Sequence, residues 1–379
     1  MRLARTTYET SRNTYPAADL SFRAGAGELN RLVVEHAAVL PPGKSSTMRG
    51  EWTFRDPAAV LVPSGECRAV SEHEVTCTVV NDDGRFVIDL GDANDALEVR
   101  APMGSSGYLP TAMRGGAGDD ELTLVEASLE GYGGPGNDTL RGNAIHGDAG
   151  NDLLMTVRET ATARGGSGDD RIVGSDAFEF FYGGSGDDRV EGGGGGDRID
   201  GGGGRDVLLG GEGDDVIGDG DGRPDTRRRR LPPAPADRDT LDGGPGRDSA
   251  DWSGSLVPVR VDLRAVASQA RRTDDATGFE SAGGGRRGDR MIGDAGRNEL
   301  SGGAGADRLA GLGGNDRLTG GDGRDVLLGG RGRDLVLAAF DRAVDRIVCD
   351  RRDRGNADPR DRVGAACRRH VDRFRSATR

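Results

Sequence analysis

Through the middle of the chain an aliphatic residue returns at steps of nine or eighteen, with a single step of 14, and with glycine and polar residues between. Leu122, Leu140, Leu154, Ile172, Val190, Ile199, Leu208 and Ile217 make one series; Leu309, Leu318, Leu327 and Val336 make a second. An amphipathic helix repeats near 3.6 residues and a half-buried strand repeats at two. A step of nine fits neither and marks an internal structural repeat. One aliphatic residue with a variable neighbour on each side reads as a short strand, its aliphatic side chain pointing inward. The residues before it read as a tight turn. Two such units close one coil, and coils stack at the strand spacing of about 4.8 Å. The predicted fold is all-β: a parallel β-roll or β-helix solenoid.

The turns share one template. Gly183–Gly218 reads in nines as GGSGDDRVE, GGGGGDRID, GGGGRDVLL and GGEGDDVIG, and Gly302–Leu337 as GGAGADRLA, GLGGNDRLT, GGDGRDVLL and GGRGRDLVL. Isolated copies start at Gly115, Gly133, Gly147, Gly165 and Gly243. Glycines at positions one, two and four permit positive φ and close backbone approach. The sixth position is acidic, so stacking places carboxylates in columns. Asp120 and Asp138 are one coil apart, and Asp152, Asp170, Asp188 and Asp206 continue at steps of 18. Asp197 and Asp215 occupy the opposite side, and Asp239 and Asp248 resume the phase later. In the second array Asp289, Asp307 and Asp325 form one column, and Asn298, Asp316 and Asp334 the other. Half-coils such as 156–164 and 174–182 lack the glycine turn, so only one side there is expected to carry sites. The Asp138–Asp152 step is 14, so one half-coil is shortened.

Carboxylates stacked about 5 Å apart repel by about 3–4 kcal/mol at an effective dielectric of 20, and by about 1 kcal/mol in water. A hard divalent cation with six to eight oxygen ligands converts that repulsion into cross-linking. These sixteen positions are therefore the candidate ligands of multiple Ca²⁺ ions, with turn carbonyls completing the shell and folding linked to the metal. Composition agrees: 66 glycines, 4 % aromatics and a formal charge of −13 leave little for one large core and disfavour nucleic acid. The four-arginine run in 222–238 reads as a solvated loop extruded from one turn.

GGxGxDxUx, where U is a large aliphatic residue, resembles the calcium-binding nonapeptide of RTX (hemolysin-type) proteins over about residues 85–337. RAGAGELNRLVVE (Arg23–Glu35), a cysteine pair and VIDLGDANDALEV (Val87–Val99) are similar to the leader of secreted actinobacterial calcium-binding repeat proteins. The resemblance implies a calcium-stabilised β-roll. The expected organisation is a β-rich N-terminal cap at 1–84, with strands at Leu29–Val39, Glu74–Val80 and Arg85–Leu90. A first array follows at 85–251, inserted strands at 252–282, a second array at 283–337 and a C-terminal cap at 338–379. Asp95, in GDANDAL, has an aspartate two residues before an aliphatic, so the roll can begin there. DRIVCD and DRV keep that pattern after the glycines end.

Four cysteines stand as two local pairs without CxxC, which is a weak zinc or thioredoxin signal. Cys67–Cys77 and Cys349–Cys367 disulfides are expected, suiting an oxidising compartment; four reduced thiols are the alternative. No stretch is long and apolar enough for a membrane span, and Met1–Gly25 shows no apolar signal-peptide core.

Catalytic signatures are missing. HExxH does not occur, the four histidines are far apart, and GGSGDD has aspartate where GxSxG needs its last glycine. No P-loop lysine follows the glycine runs. The expectation is a monomeric, non-enzymatic extracellular structural or surface protein with calcium ions as its ligands. The alternatives are an accessory region of a secreted toxin or hydrolase, and a calcium-dependent adhesin.

Overall fold

The computed structural model describes residues 2–6, 19–23, 31–39, 49–55, 67–71, 74–80, 86–100, 111–124, 129–157, 160–218, 239–255, 258–264, 275–338, 341, 343–366 and 371–373. All regular structure among them is β-strand, so none is a helix that could cross a membrane. The chain divides into two compact units, Met1–Ser185 and Gly186–Arg379.

In the first unit two columns of parallel strands share one core. Asp19–Arg23, Phe86–Asp89, Thr111–Arg114, Leu129–Pro135, Ala144–Ala149, Thr162–Ser167 and Phe180–Ser185 stack in register on one side. Arg31–Val39, Ala96–Arg100, Glu121–Leu124, Thr139–Gly142, Leu153–Thr156 and Arg171–Val173 stack on the other. The parallel stacking thus reaches back into 1–84. The rest of that segment is antiparallel: Arg2–Thr6 pairs with Asp19–Arg23, while Arg49–Arg55, Glu74–Val80 and Cys67–Ser71 extend the sheet beside Arg31–Val39. Cys67 and Cys77 are direct register partners.

The x-U-x pattern explains the core. The middle residue of each three-residue strand turns inward, and Leu97, Leu122, Leu140, Leu154 and Ile172 are all buried in one file. Ile88, Met113, Ile145, Ala163 and Phe181 face them from the other column. At about 1.5–3 kcal/mol per large aliphatic side chain, this file is the main apolar contribution to each coil.

The second unit repeats the scheme. Arg189–Gly194, Val207–Glu212, Thr240–Asp242 and Asp275–Thr277 form one column. Arg198–Gly203, Val216–Gly218, Ser249–Asp251, Ser281–Gly283, Glu299–Ser301, Arg317–Thr319, Leu335–Leu337, Arg354–Ala357 and Val371–Arg373 form a second. A third, Arg260–Asp262, Arg290–Ile292, Arg308–Gly314, Val326–Gly332, Arg346–Val348 and Arg362–Val363, succeeds the first on its side. Chain order and stacking order are inverted at this handover. Arg260–Asp262 starts the third column, yet Asp275–Thr277, later in sequence, pairs back to close the first. Among the described residues of 252–282 the strands are Arg260–Asp262, Asp275–Thr277 and the start of Ser281–Gly283. The loop expected over 222–238 lies outside the described residues; on either side of it Leu208 pairs with Leu241 and Ile217 with Ala250. Cys349 is disulfide-bonded and no described cysteine is free; Cys367 lies outside the described residues.

Candidate metal centre

The turn Gly133–Asp138 shows how each template position is used. Gly134 and Gly136 have φ of 116° and 152°, in the region that favours glycine. A Cβ on either would run into a backbone carbonyl of the preceding coil, that of Gly116 or Gly118. Gly133 differs from the expectation for position one, because its φ is not positive. A Cβ there would collide with Oδ2 of Asp138 and lie 2.8 Å from the carbonyl oxygen of Gly147 in the next coil. The first glycine is required by the carboxylate lying against it. Gly147 repeats this with Asp152 and the Gly165 carbonyl, and Gly311 with Asp316 and the Gly329 carbonyl.

Sequence reasoning placed the sixth-position carboxylates face to face. The structure threads them through the backbone instead. The N–H of Asp120 donates to Oδ1 of Asp138 (2.8 Å), that of Asp138 to Asp152 (2.8 Å) and that of Asp152 to Asp170 (2.8 Å). In the second unit the same bond runs from Asp188 to Asp206 and on to Asp239, and from Asp197 to Asp215 and on to Asp248. It also runs from Asp289 through Asp307 to Asp325, and from Asn298 through Asp316 to Asp334. A second ladder at position five runs the opposite way. Asn137 N–H donates back to Oδ1 of Asp119, Asn151 to Asn137, and Asp169 to Asn151, each at 2.8–2.9 Å. Arg205 does the same to Asp187, and its guanidinium adds an exposed ion pair of 2.8 Å. A GDD turn therefore places its fifth residue on the surface and its sixth inside.

The other oxygen of the buried carboxylate is the chemically open one. Oδ2 of Asp120, Asp138, Asp152, Asp215, Asp248, Asp307, Asp316 and Asp325 is buried without a hydrogen-bond partner. Burial pushes Asp138 and Asp170 up to about 7, and Asp120, Asp152, Asp248, Asp307, Asp316 and Asp325 up to about 6. The N–H bond to Oδ1 opposes this rise, and for Asp138 the charges of Asp152 and Asp120 add to it. Native proteins rarely leave a buried carboxylate oxygen unanswered. Among the described residues no three His, Cys, Asp or Glu side chains converge to hold a metal by themselves. The donor set is one buried Oδ2 with turn carbonyls close by, all oxygen, and it fits a hard cation such as Ca²⁺.

All sixteen sequence-predicted positions lie buried in these columns. Asn298 departs in detail. Its N–H joins the ladder, but its Oδ1 accepts the N–H of Asp294 (2.8 Å) within its own turn. Among the described residues, five members of the sixth-position ladders were not among the predicted sites. Asp95 N–H donates to Asp120, and Asp345, Asp361 and Asp353 accept from Asp325, Asp345 and Asp334. Glu280 takes the place of an aspartate, accepting the Asp248 N–H through Oε2 at 2.9 Å. An acid two residues before an aliphatic was the available signal at Asp95, Asp345 and Asp361. Asp353 precedes glycine at that offset, and Glu280 precedes alanine. In the half-coils without a glycine turn, Glu179 folds back to accept Ser175 N–H (2.7 Å) and Oγ–H (3.0 Å).

A family model for the RTX calcium-binding nonapeptide repeat matches residues 132–156, 162–177, 182–217, 283–318 and 301–336. No curated protein matches the chain. The matched segments contain the turns and ladders described above. The matched segments carry RTX calcium-binding nonapeptide repeats, and the strands around them are wound as a parallel β-roll.

Proposed function

We propose that folding of the roll is coupled to calcium, and that the chain acts outside the cell as a non-enzymatic structural or surface protein. The sixth-position aspartates whose Oδ2 is open supply the anionic ligands, and glycine carbonyls of adjacent coils supply the rest; Asp289 is excepted, because its Oδ2 accepts the Gly285 N–H at 2.8 Å. The observation that carries this reading is the file of buried Oδ2 atoms with no hydrogen-bond partner. A column of such groups is unfavourable as bare anions and favourable around divalent ions. Extracellular calcium is plentiful, which supports export before folding, and the disulfide at Cys349 suits an oxidising compartment.

Circular dichroism with and without calcium tests the coupling, because the reading requires a coil-to-sheet change on adding the ion. Isothermal titration of an Asp188→Ala/Asp206→Ala double variant tests the ligands. Unchanged stoichiometry and affinity would remove both residues from the ligand set.

A further inference from the structure

On the outer face of the third column in the second unit, five of six rungs begin with arginine. Arg260 is the register partner of Arg290, and Arg290 of Arg308. Val326 interrupts, and Arg346 and Arg362 then continue the file. All five arginines are exposed. In-register strands put neighbouring members about 4.8 Å apart along the column. Like charges directly opposite one another across strands are destabilising. Here they are not interleaved with acids. The aspartates that precede four of these arginines, such as Asp289 and Asp345, are buried in the turns. Asp262, beside the row, is held by the Arg264 guanidinium.

Composition does not account for the row. At the same template position in the neighbouring column, Ser249, Ser281, Glu299, Arg317, Leu335 and Arg354 follow one another, and Glu299 pairs with Arg317 at 3.2 Å. In a chain of formal charge −13, a file of five arginines and one valine with no acid in it is a local departure. Two residues along lies a parallel outward file that begins with Asp262 and continues with Ile292, Ala310, Leu328 and Val348, with Val348 39 % exposed.

We propose that this face binds a linear acidic polysaccharide, laid along the column. Guanidinium forks suit sulfate and carboxylate groups bidentately. The rung spacing is close to the length of one sugar in an extended chain, so successive acidic groups meet successive arginines. The aliphatic file beside them accepts the C–H faces of the rings. A single-stranded nucleic acid would call for aromatic stacking platforms, and neither outward file contains one. The surface is separate from the calcium turns and requires only that the roll be folded.

The test uses the full-length, calcium-loaded protein with dextran sulfate as probe and neutral dextran of equal length as control. The parent is expected to bind dextran sulfate, with affinity falling as salt rises, and not to bind dextran. An Arg290→Gln/Arg308→Gln/Arg346→Gln variant is expected to lose affinity tenfold or more with a flatter salt dependence. The equally charged variant Arg198→Gln/Arg317→Gln/Arg354→Gln, on the other column, is expected to bind as the parent does. Circular dichroism in calcium must show both variants folded; if the row variant is not, Arg308→Gln alone, expected to lose about threefold, replaces it. No binding by the parent, or equal losses in both triple variants, overturns the proposal. So does row-dependent binding that is tighter to phosphatidylglycerol vesicles or to single-stranded DNA than to dextran sulfate.

Discussion

Asp138→Asn separates the two tasks of a sixth-position carboxylate. Oδ1 accepts the Asp120 N–H at 2.8 Å, and an asparagine Oδ1 can do the same. Oδ2 is buried without a hydrogen-bond partner and carries the charge that a cation would neutralise. In chelator the substitution removes a buried anion whose carboxyl is already pushed up to about 7 by burial and by Asp152 and Asp120. Each neighbouring charge, one coil away, contributes about 3–4 kcal/mol of repulsion at an effective dielectric of 20. Partial protonation and relaxation reduce that, so the metal-free variant is expected to gain about 2–4 kcal/mol at pH 8. In saturating calcium the sign reverses: one anionic ligand is lost, and a tenfold weaker site corresponds to about 1.4 kcal/mol. Urea unfolding followed by far-ultraviolet circular dichroism, run in calcium and in chelator, reads both signs. A parent too unstable in chelator can be compared there with the variant in the presence of a stabilising osmolyte. Destabilisation by the same amount in both conditions would refute the division of labour, leaving Asp138 with a purely structural hydrogen-bonding role.

Other consequences can be checked with the same material. Gly133→Ala drives a methyl group into Asp138 Oδ2, so it is expected to weaken calcium binding and to destabilise by about 1–3 kcal/mol, as calorimetric titration and thermal melts would show. Leu309→Ala opens a cavity under a fully buried rung and is expected to cost about 2–5 kcal/mol, again read by urea unfolding. With a stabilising osmolyte to populate the metal-free fold, the protein in chelator is expected to melt higher at pH 5 than at pH 8. Aspartates with an unfolded value near 3.8 and folded values of about 6–7 give stability that is present below 3.8 and lost as pH rises through 6–7. Excess calcium should shrink or reverse that difference in melting temperature.

Much of this was legible in the chain. The position-eight aliphatics, from Leu122 to Val336, all became the buried file, because a three-residue strand in a narrow coil has only one inward side chain. The columns followed from the step of 18. What spacing could not convey was the direction of hydrogen bonds. In a GDD turn, the fifth and sixth residues look equivalent in sequence, yet one bonds to the later coil and stays exposed, and the other bonds to the earlier coil and is buried. The reason for glycine at position one was equally hidden, since it lies in a side-chain collision and not in backbone conformation. The arginine row was invisible because its members are unevenly spaced in sequence. Only the register, with its handover near Arg260, lines them up.

The uneven steps have a consequence for how the molecule finds itself. Near-identical repeats can mispair by a whole coil, since sliding one stretch by eighteen residues would bring aliphatic onto aliphatic and acid onto amide again. A flawless array would have many almost equally good alignments and would fold into a mixture. The 14-residue step between Asp138 and Asp152 in the first unit breaks that degeneracy, as do the 33-residue steps at Asp206–Asp239 and Asp215–Asp248 in the second. The out-of-order strands Arg260–Asp262 and Asp275–Thr277 fit only one alignment. These irregularities act as alignment pins, so trimming them to perfect nonapeptides should yield a protein that binds metal yet loses its single arrangement.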